Sequence, residues 1–480
     1  MFEIKGKHTT ATVFTDDVDS QCVGQLTKIV NNASFKGKIA GMPDIHAGKG
    51  CVVGFTMPLG DRVVPNIVGV DVNCGVFGVN IGSVDPFRKV SHQKFDDLVR
   101  QRIPFGMNTH DTPVIDMKKE FPWDVATETA RKFSMAYRER FGVLPLDPPE
   151  YAYDWFEKKC KQIGVRKGVS YAVNSLGTLG GGNHYIEVAQ SNVTRDFWII
   201  VHSGSRNFGG RVCTFWQDIA VAKGKMSIPK EEYAARMKEI TTNTLPKTDI
   251  PHKLEELRMS AKAQDVEKEL EYLSGEDMMG YFYDMIFTQT YADVNKLLML
   301  DILVKVFGIK AINETIRTSH NYIDFRDFII RKGAISSYEN ERMIIPFNMR
   351  DGSLLCVGKT NPDWNYSAPH GAGRIMSRRE AKEKIKMESF EIAMRGIFTT
   401  SVTEGTLDEA PQAYKNAEEI ERLIEPTALV LERLRVIHNM KDTGGDNHAH
   451  WSKKKEKHRL AKEKRDLGKR KMEERELTGG

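Results

Sequence analysis

An aspartate and a cysteine stand three positions apart in segment 69–76, whose sequence is GVDVNCGV. The segment follows the apolar run 63–68, and this pattern predicts a strand that leads into a bend. Such a bend can direct the carboxylate of Asp71 and the thiol of Cys74 into one cavity. A thiolate beside a carboxylate suits a divalent transition metal better than it suits magnesium. The segment therefore predicts part of a metal site whose remaining ligands come from elsewhere in the chain.

Three histidines downstream are candidates for those ligands. His184 lies in the glycine-rich segment GGGNHYIEV at 180–188, where a loop is predicted to run into a strand. His202 follows the apolar strand predicted over 197–201, and His320 lies in the segment TSHNY at 318–322. A lone histidine at a strand end is more often a hydrogen-bonded core residue, but three such contexts in one chain favour a shared metal site.

Glycines and hydroxyl groups near the first two histidines suit a bound phosphate. The three consecutive glycines at 180–182 allow positive φ and leave backbone N–H groups exposed, as a phosphate cradle requires. Segment 203–206, SGSR, adds two hydroxyl groups and Arg206 directly after His202. A glycine-rich loop alone is a weak signal, and the Asn-His pair at its exit strengthens it.

The segment YSAPHGAGR at 366–374 surrounds a fourth histidine with a proline and small residues. Pro369 restricts the backbone before His370, and the small residues after it leave room for a bulky group beside the imidazole. Arg374 is close in sequence. These neighbours favour a nucleophile that carries a phosphoryl or nucleotidyl group over a metal ligand.

Asp44 and His46 lie in another glycine-rich loop, GMPDIHAGKGCVVG at 41–54. Its composition suits the close approach of a ligand to the backbone. Two roles fit the two side chains equally well: a place beside the metal site, or a hydrogen-bonded pair that stabilises the loop.

Both helices and strands are expected to position these segments. Helical periodicity covers about 115–141 and 150–163, where aromatic residues are expected to pack in a core rather than stack on bases. Segment 228–310 is expected to be mostly helical and to serve packing alone, and another helix is expected near 416–434. A turn followed by a short strand is expected at 345–353.

The overall composition indicates a globular protein. The apolar fraction is 40% and there are only 18 prolines in 480 residues. The chain has no uncharged apolar run of about twenty residues, so no membrane span is expected, and its start lacks a signal-peptide core, so a cytoplasmic location is expected. The six cysteines form no CxxC pair, and except for Cys74 they are expected to be buried thiols.

The positive charge is concentrated at the C-terminus. Residues 453–476 contain twelve Lys/Arg and six Asp/Glu, a local charge of +6 against a total of +5. A solvated charged helix or a disordered segment is favoured there about two to one over a segment that attracts a phosphate backbone. The rest of the chain is close to neutral.

Five motifs in this order resemble those of the RtcB family of RNA-splicing ligases: DVNCGV at 71–76, GGNHYIEV at 181–188, VHSGSR at 201–206, SHN at 319–321 and HGAGR at 370–374. The resemblance extends from residue 1 to about 441. It implies a ligase, dependent on GTP and Mn²⁺, that joins RNA 3′-phosphate or 2′,3′-cyclic-phosphate ends to 5′-hydroxyl ends in RNA splicing or repair, with archease as a possible activating partner.

The resemblance also implies a mixed α/β fold in which residues 1–442 form a single catalytic domain around a central cleft for metal and nucleotide. Segment 228–310 would be a helical insertion in that domain, and 443–480 a basic tail, flexible or helical.

Residue roles follow from matching motif positions. Asp71, Cys74 and His184 would hold one Mn²⁺ and Cys74, His202 and His320 a second, while His370 would carry GMP. Arg206 and Arg374 would contact RNA phosphates. The residues expected to bind GTP are Asn183, His184, Tyr185, Ile186, Glu187, His320, Asn321, Pro346, Phe347, Asn348, Met349, Ser353, His370, Gly371, Ala372, Gly373 and Lys441.

The chain departs from the family pattern in two places. Pro346 to Met349 replace the usual Pro-Gly-Ser/Asp-Met turn, so a large aromatic residue stands where members have glycine. The family's C-terminal Val-Lys-Gly is replaced by a segment that aligns only roughly, in which Lys441 takes the place of the lysine that meets guanine.

Two other functions compete with ligation. A di-metal phosphoesterase would use the same Asp/Cys/His cluster to hydrolyse a cyclic phosphate or a phosphodiester without joining ends. A non-enzymatic RNA-binding protein would act through the basic tail. Covalent labelling of His370 distinguishes a ligase from the phosphoesterase. Removal of 443–480 distinguishes it from the RNA-binding protein, because a ligase without the tail is expected to lose only RNA affinity.

Overall fold

A computed structural model describes residues 1–48, 50–224, 230–244, 246–260 and 267–444. Of the predicted tail, 443–480, all but the first two residues lie outside the described residues. The strands are β1 Phe2–Lys5, β2 Thr10–Val13, β3 Ile39–His46, β4 Val53–Pro58, β5 Gly75–Gly82, β6 Tyr185–Ser191, β7 Phe197–Ser203, β8 Glu314–Ser319, β9 Tyr322–Asp324, β10 Ile329–Lys332, β11 Ala334–Ser336, β12 Arg342–Pro346, β13 Ser353–Gly358, β14 Ser367–Pro369 and β15 Ala428–Met440.

The α-helices lie between these strands, several of them in consecutive groups. They are α1 Ser20–Val30, α2 Pro65–Val68, α3 His92–Arg102, α4 Met117–Glu120, α5 Trp123–Phe141, α6 Tyr153–Gln162, α7 Val169–Asn174, α8 Arg206–Gly224, α9 Lys230–Asn243, α10 Ile250–Ser260, α11 Gly275–Phe307, α12 Arg378–Lys384, α13 Met387–Ala393 and α14 Ala417–Leu423. Two large sheets packed with helices confirm the predicted mixed α/β fold.

The larger sheet is antiparallel and has the order β12-β13-β15-β6-β7-β5-β8. In its register Tyr185 pairs with His202, and Gly75 pairs with Ser319. The starts of β6 and β5 therefore meet the ends of β7 and β8 at one edge of the sheet. The predicted metal-binding residues that flank these strand ends are Cys74, His184, His202 and His320.

The smaller sheet lies opposite that edge of the larger sheet. Its order is β1-β2-β3-β4-β10-β9, and β2 and β3 run parallel. Strand β3 carries Asp44, and the ribbon of β11 and β14 pairs Ala334 with Pro369. His370 thus follows directly from a paired strand and is placed by it.

The longest helix, α11, lies against β7, α8 and α5. Its 33 residues include a long series of buried apolar and aromatic side chains in the main core cluster. None of the helices in the described ranges combines the length and apolar character needed to cross a membrane.

Several local predictions are confirmed. Helices α5 and α6 lie within the predicted ranges, and aromatic residues such as Phe133 and Phe156 are buried in the core. The apolar run 197–201 forms β7 and ends near His202 as predicted. The turn and strand expected at 345–353 are the connection from β12 into β13. All six cysteines are buried thiols.

The strand predicted for 63–68 is wrong, because residues Pro65–Val68 form the short helix α2. Pro65 occupies the first helical position, where its fixed φ and missing N–H favour a helix start. The bend predicted after this run is present, and Asn73 adopts a positive φ of 54° there. The carboxylate and the thiol therefore leave a helix rather than a strand.

The helix predicted for 416–434 is also wrong over most of its length. Helix α14 ends at Leu423, and Ala428–Met440 form strand β15. Pro426 lies between them and cannot continue a helix. Both edges of β15 are hydrogen-bonded, to β13 and β6, so sheet pairing overrides the local helical preference.

Candidate active site

A cavity of about 910 Å³ opens at the edge where the two sheets meet. Asp71, Cys74, His202, His320 and His370 all line it. The predicted nucleotide-binding residues that also line it are Asn183, Tyr185, Glu187, Asn321, Pro346, Phe347, Asn348, Met349, Gly371, Ala372, Gly373 and Lys441. Its volume is in the range of sites that hold a nucleotide-sized ligand.

Three residues that were predicted to bind GTP do not line the cavity and lie in the wall behind it. Ile186 points to the other face of the sheet, where it is fully buried in an apolar cluster. Ser353 begins β13 next to the lining residue Gly352, and the buried His184 stands behind Asp71.

Two groups of side chains in this cavity have the composition of metal sites. Asp71, Cys74 and His184 form one group and Cys74, His202 and His320 the other, and within each group the potential ligand atoms lie within 4.8 Å of one another. Cys74 belongs to both groups, so its sulfur is placed to bridge two ions. Thiolate, imidazole and carboxylate together suit divalent transition metals.

The distances within the two groups fit a coordinated ion. Cys74 Sγ lies 3.4 Å from His184 Nε2 and 3.2 Å from His202 Nε2. Asp71 Oδ2 lies 2.9 Å from His184 Nε2, and His202 Nε2 lies 3.3 Å from His320 Nε2. Atoms bound to one ion at about 2.0–2.3 Å are separated by roughly 3–4 Å.

Backbone carbonyls set the tautomers of two of the histidines. His184 Nδ1 lies 2.8 Å from Leu179 O, and His202 Nδ1 lies 3.2 Å from Asn183 O. Because a carbonyl only accepts, each Nδ1 carries the proton and donates it. Each Nε2 then faces Cys74 Sγ and is the nitrogen that can serve as a metal ligand.

The protonation states of the isolated protein also suit metal binding. Burial lowers the pKa of His202 and of His320 well below the usual value, which keeps both imidazoles neutral. Burial raises the pKa of the Cys74 thiol well above its usual value, and a nearby divalent cation would oppose this by favouring the thiolate. Burial acts to raise the pKa of Asp71, but His184 and Arg206 hold it below its usual range.

His370 is held by the buried carboxylate of Asp44. The Nδ1 atom of His370 lies 2.6 Å from Asp44 Oδ2, and Asp44 is completely buried whereas His370 reaches the cavity. The carboxylate of Asp44 therefore pairs with His370 rather than with His46. His46 Nδ1 lies 2.8 Å from the carbonyl oxygen of Asp44, a contact within the loop. The ring of His370 lies 4.7 Å from that of His320, so this imidazole borders the second metal group.

Gly373 maintains the Asp44 geometry, and alanine is not expected to fit there. Gly373 has φ +74°, and an added Cβ would lie 2.2 Å from Asp44 O. We expect Gly373→Ala to lower the free energy of unfolding by about 3 kcal/mol, as measured by denaturant unfolding.

Gly142→Ala is the matched control, because Gly142 has φ +77° but nothing lies within 4 Å of its added Cβ. It should show backbone strain alone, about 1–2 kcal/mol. Equal losses in the two variants would contradict the close contact with Asp44.

The two arginines expected at phosphates have protein partners. Arg206 is half-buried, does not line the cavity, and donates to Thr178 Oγ1 at 2.9 Å and to Gly106 O at 2.6 Å. Arg374 lines the cavity, donates to Asp408 O and lies 3.5 Å from Glu409 Oε1. Only Arg374 thus has direct access to a ligand in the cavity.

Lys441 anchors the last described part of the chain in the cavity wall. Its ammonium donates to Glu409 Oε2 at 2.9 Å and to Asn183 O at 3.1 Å. The carbonyl of Asn183 also accepts from His202, so Lys441 is connected to the metal group through one backbone oxygen.

Two polar residues of α11 contact the site but were not predicted, because the sequence pattern gave that helix no role beyond packing. Lys296 is fully buried and donates to Asn73 O at 2.9 Å, next to Cys74. Asn295 donates to Ser203 Oγ at 3.1 Å and to Gly204 O at 3.0 Å, directly after His202. Polar residues inside an otherwise apolar helix were the available signal, since buried polar groups need specific partners.

Comparisons with known proteins agree with this site. A family model described as tRNA-splicing ligase RtcB matches residues 25–442. The chain is 26% identical over 415 residues to the RNA-splicing ligase RtcB of Escherichia coli K12, covering 83% of this chain and 88% of that protein. It is 26% identical over 494 residues to the tRNA-splicing ligase RtcB of Archaeoglobus fulgidus, covering 88% and 91%. It is also 24% identical over 450 residues to the RNA-splicing ligase RtcB homolog 1 of Entamoeba histolytica, covering 84% and 79%.

The match extends over most of the chain and includes every residue of the two metal groups and His370. It also includes the segments in which this chain departs from the usual pattern, at 346–349 and near Lys441. The chain belongs to the RtcB family.

Proposed function

We propose that this protein is an RNA ligase that joins 3′-phosphate or 2′,3′-cyclic-phosphate ends to 5′-hydroxyl ends through GMP carried on His370. The observation that carries the proposal is the imidazole of His370, which is held by buried Asp44 and shares a cavity with both metal groups. The names of the related proteins, RNA-splicing and tRNA-splicing ligases, support it.

Asp44 prepares His370 for nucleophilic attack. The carboxylate of Asp44 accepts a hydrogen bond from Nδ1–H of His370, so the proton stays on Nδ1 and the lone pair of Nε2 is available in the cavity. Nε2 attacks the α-phosphorus of GTP, an N–P bond forms, and the bond to the β-phosphate breaks with release of pyrophosphate. A neutral imidazole needs no strong base for this step.

The second and third steps transfer GMP to RNA and then release it. An oxygen of the RNA 3′-phosphate attacks the phosphorus on His370, and the N–P bond breaks to give a 3′-guanylylated end. The 5′-hydroxyl of the other strand then attacks the 3′-phosphorus, loses its proton and expels GMP. A 2′,3′-cyclic phosphate must first be opened by water to a 3′-phosphate.

We assign Mn²⁺ to both metal groups, one ion to Asp71, Cys74 and His184 and the other to Cys74, His202 and His320. When bound, the two ions would neutralise the clustered phosphates and activate attacking oxygens. We assign Arg374, which lines the cavity, to RNA phosphates. We assign to GTP the cavity-lining residues that the sequence also predicted to bind it.

Incubation with α-³²P-labelled GTP and Mn²⁺ tests the proposal. We expect acid-labile label on the protein, and joined strands when RNA with a 3′-phosphate and RNA with a 5′-hydroxyl are added. The assay is run with and without archease, the partner that the resemblance implies. An unlabelled protein that only opens cyclic phosphates would instead be a di-metal phosphoesterase.

A further inference from the structure

The loop between α6 and α7, residues 163–168, belongs to a positively charged part of the surface. Residues 158–186 contain five Lys/Arg and no Asp/Glu, and residues 197–217 contain two arginines and no Asp/Glu. Arg166 and Lys167 in the loop are both exposed. Within the described part of the chain, neither of them has a carboxylate partner. Their charges are therefore available to an anionic partner.

The backbone of this loop is held in a defined conformation against α8. Gly164, Lys167 and Gly168 have φ values of +64°, +56° and +75°. A positive φ costs a residue such as lysine about 1–2 kcal/mol, so tertiary contacts must maintain it. The N–H of Arg166 donates to Asn207 Oδ1 at 3.3 Å, and Nε of Arg211 donates to Ile163 O at 2.9 Å.

The charged loop is connected to the cavity by exposed apolar side chains. A Cβ added to Gly210, the neighbour of Arg211, would lie 3.6 Å from Cγ1 of Val70. Val70 is 49% exposed, lines the cavity and directly precedes the metal-group residue Asp71. Met107 is 59% exposed, and its sulfur lies 4.0 Å from Nη1 of Arg166.

We call this the basic surface; it consists of Val70, Met107, Arg166, Lys167 and Arg211. Its composition suits a single strand of nucleic acid. The cations attract backbone phosphates, and a guanidinium plane can also stack on an unpaired base. An acidic protein would satisfy the charges too, but the position of the surface beside the cavity favours a strand that enters the site.

The position of the surface relative to His370 indicates which RNA strand it takes. The ring of His370 lies 4.7 Å from that of His320, and successive contacts lead from His320 away to Asp71. The residues between them in this series are His202, Cys74 and His184. The basic surface therefore begins at the end of the series that is remote from the nucleotide-carrying imidazole.

In the joining step a P–O bond forms to the 5′-oxygen, the bond to GMP breaks, and the hydroxyl proton is released. The entering and leaving oxygens of such a displacement are roughly in line, so the two groups occupy opposite sides of the phosphorus. GMP leaves on the His370 side. We propose that the basic surface binds the backbone of the RNA strand that carries the 5′-hydroxyl. This inference rests on the proposed function and adds the surface that receives one of the two strands.

The two strands can be varied separately in a joining assay. Arg166→Gln/Lys167→Gln is expected to raise the KM for the strand with the 5′-hydroxyl on the order of 10-fold, because two phosphate contacts are lost. The KM for the strand with the 3′-phosphate should be unchanged. Covalent labelling by GTP should also be unchanged, which verifies that the variant is folded.

Fluorescence anisotropy measures the same contact without catalysis. The probe is a single-stranded RNA with a free 5′-hydroxyl and a 3′ fluorophore. The double substitution should weaken its binding on the order of 10-fold and reduce the slope of log affinity against log salt by about 1.4, since each phosphate contact to a single strand contributes about 0.7.

Arg131→Gln/Lys132→Gln is the matched control, because it removes the same dipeptide from another exposed position. The two side chains lie on α5, are 52% and 74% exposed, and pair with Glu150 and Glu128. Neither residue lines the cavity. This variant should bind and join both strands like the unaltered protein.

The outcomes distinguish failure of this inference from failure of the proposed function. Unchanged KM values, an equal rise for both strands, or a rise confined to the 3′-phosphate strand would overturn the assignment while leaving the ligase intact. Equal effects of the two double substitutions would also overturn it. A protein that neither takes label nor joins strands would count against the proposed function. Unchanged anisotropy would then also exclude the basic surface as an RNA contact.

Discussion

Replacement of His370 by alanine is expected to abolish covalent labelling by GTP and to lower RNA joining by at least about 10³-fold. The imidazole of His370 forms the covalent bond to GMP, and no neighbouring side chain can replace it as the nucleophile by a small movement. The neighbouring imidazole of His320 lies 4.7 Å away, measured between ring centroids, but it is 3% exposed and belongs to the second metal group. Label and joined strands are measured in the same reactions.

Asp44→Asn tests how the nucleophile is prepared. The amide keeps an oxygen near Nδ1 but lacks the charge that orients and stabilises the imidazole, so labelling is expected to fall on the order of 10²-fold without being abolished. Metal content should be unchanged, because Asp44 belongs to neither metal group.

His252→Ala provides the control for loss of a histidine, since His252 lies on α10 with its side chain 79% exposed. It should label and join at the level of the unaltered protein. Acid-labile label of normal intensity on His370→Ala would show that another residue carries the nucleotide and would remove the basis of the mechanism.

The metal groups were largely predictable because each ligand has a distinctive local context. Cys74 and Asp71 share one turn, and His202 follows an apolar strand. Sequence alone did not predict that the strands ending at these residues are neighbours in an antiparallel sheet. That neighbourhood depends on long-range pairing of β5, β6, β7 and β8, which local patterns do not encode.

The parts that escaped prediction depend on such long-range contacts. Asp44 and His370 are separated by 326 positions and meet only because β3 and β14 pack together. Segment 435–440 was given no strand prediction, whereas it completes β15 and pairs with β6. Lys296 was missed because α11 has the apolar pattern of a packing helix, and a single buried ammonium changes that pattern little.

Removal of the shared sulfur should have a larger effect on metal content than removal of either terminal imidazole. Cys74 belongs to both groups, so Cys74→Ala is expected to lose both ions after dialysis. His202 belongs to only one group, and His202→Ala is expected to retain about one ion, held by Asp71, Cys74 and His184. Elemental analysis of dialysed protein measures the ratio of manganese to chain.

Loss of both ions should also stop labelling, because the phosphates of GTP would then lack neutralising charge next to His370. Cys160→Ala controls for the loss of a buried thiol, since Cys160 lies on α6 in the apolar core. It should lose some stability but keep its metal. Equal and full metal occupancy in Cys74→Ala and His202→Ala would show that the sulfur does not bridge two ions, because a bridging ligand is the one residue whose loss must affect both sites.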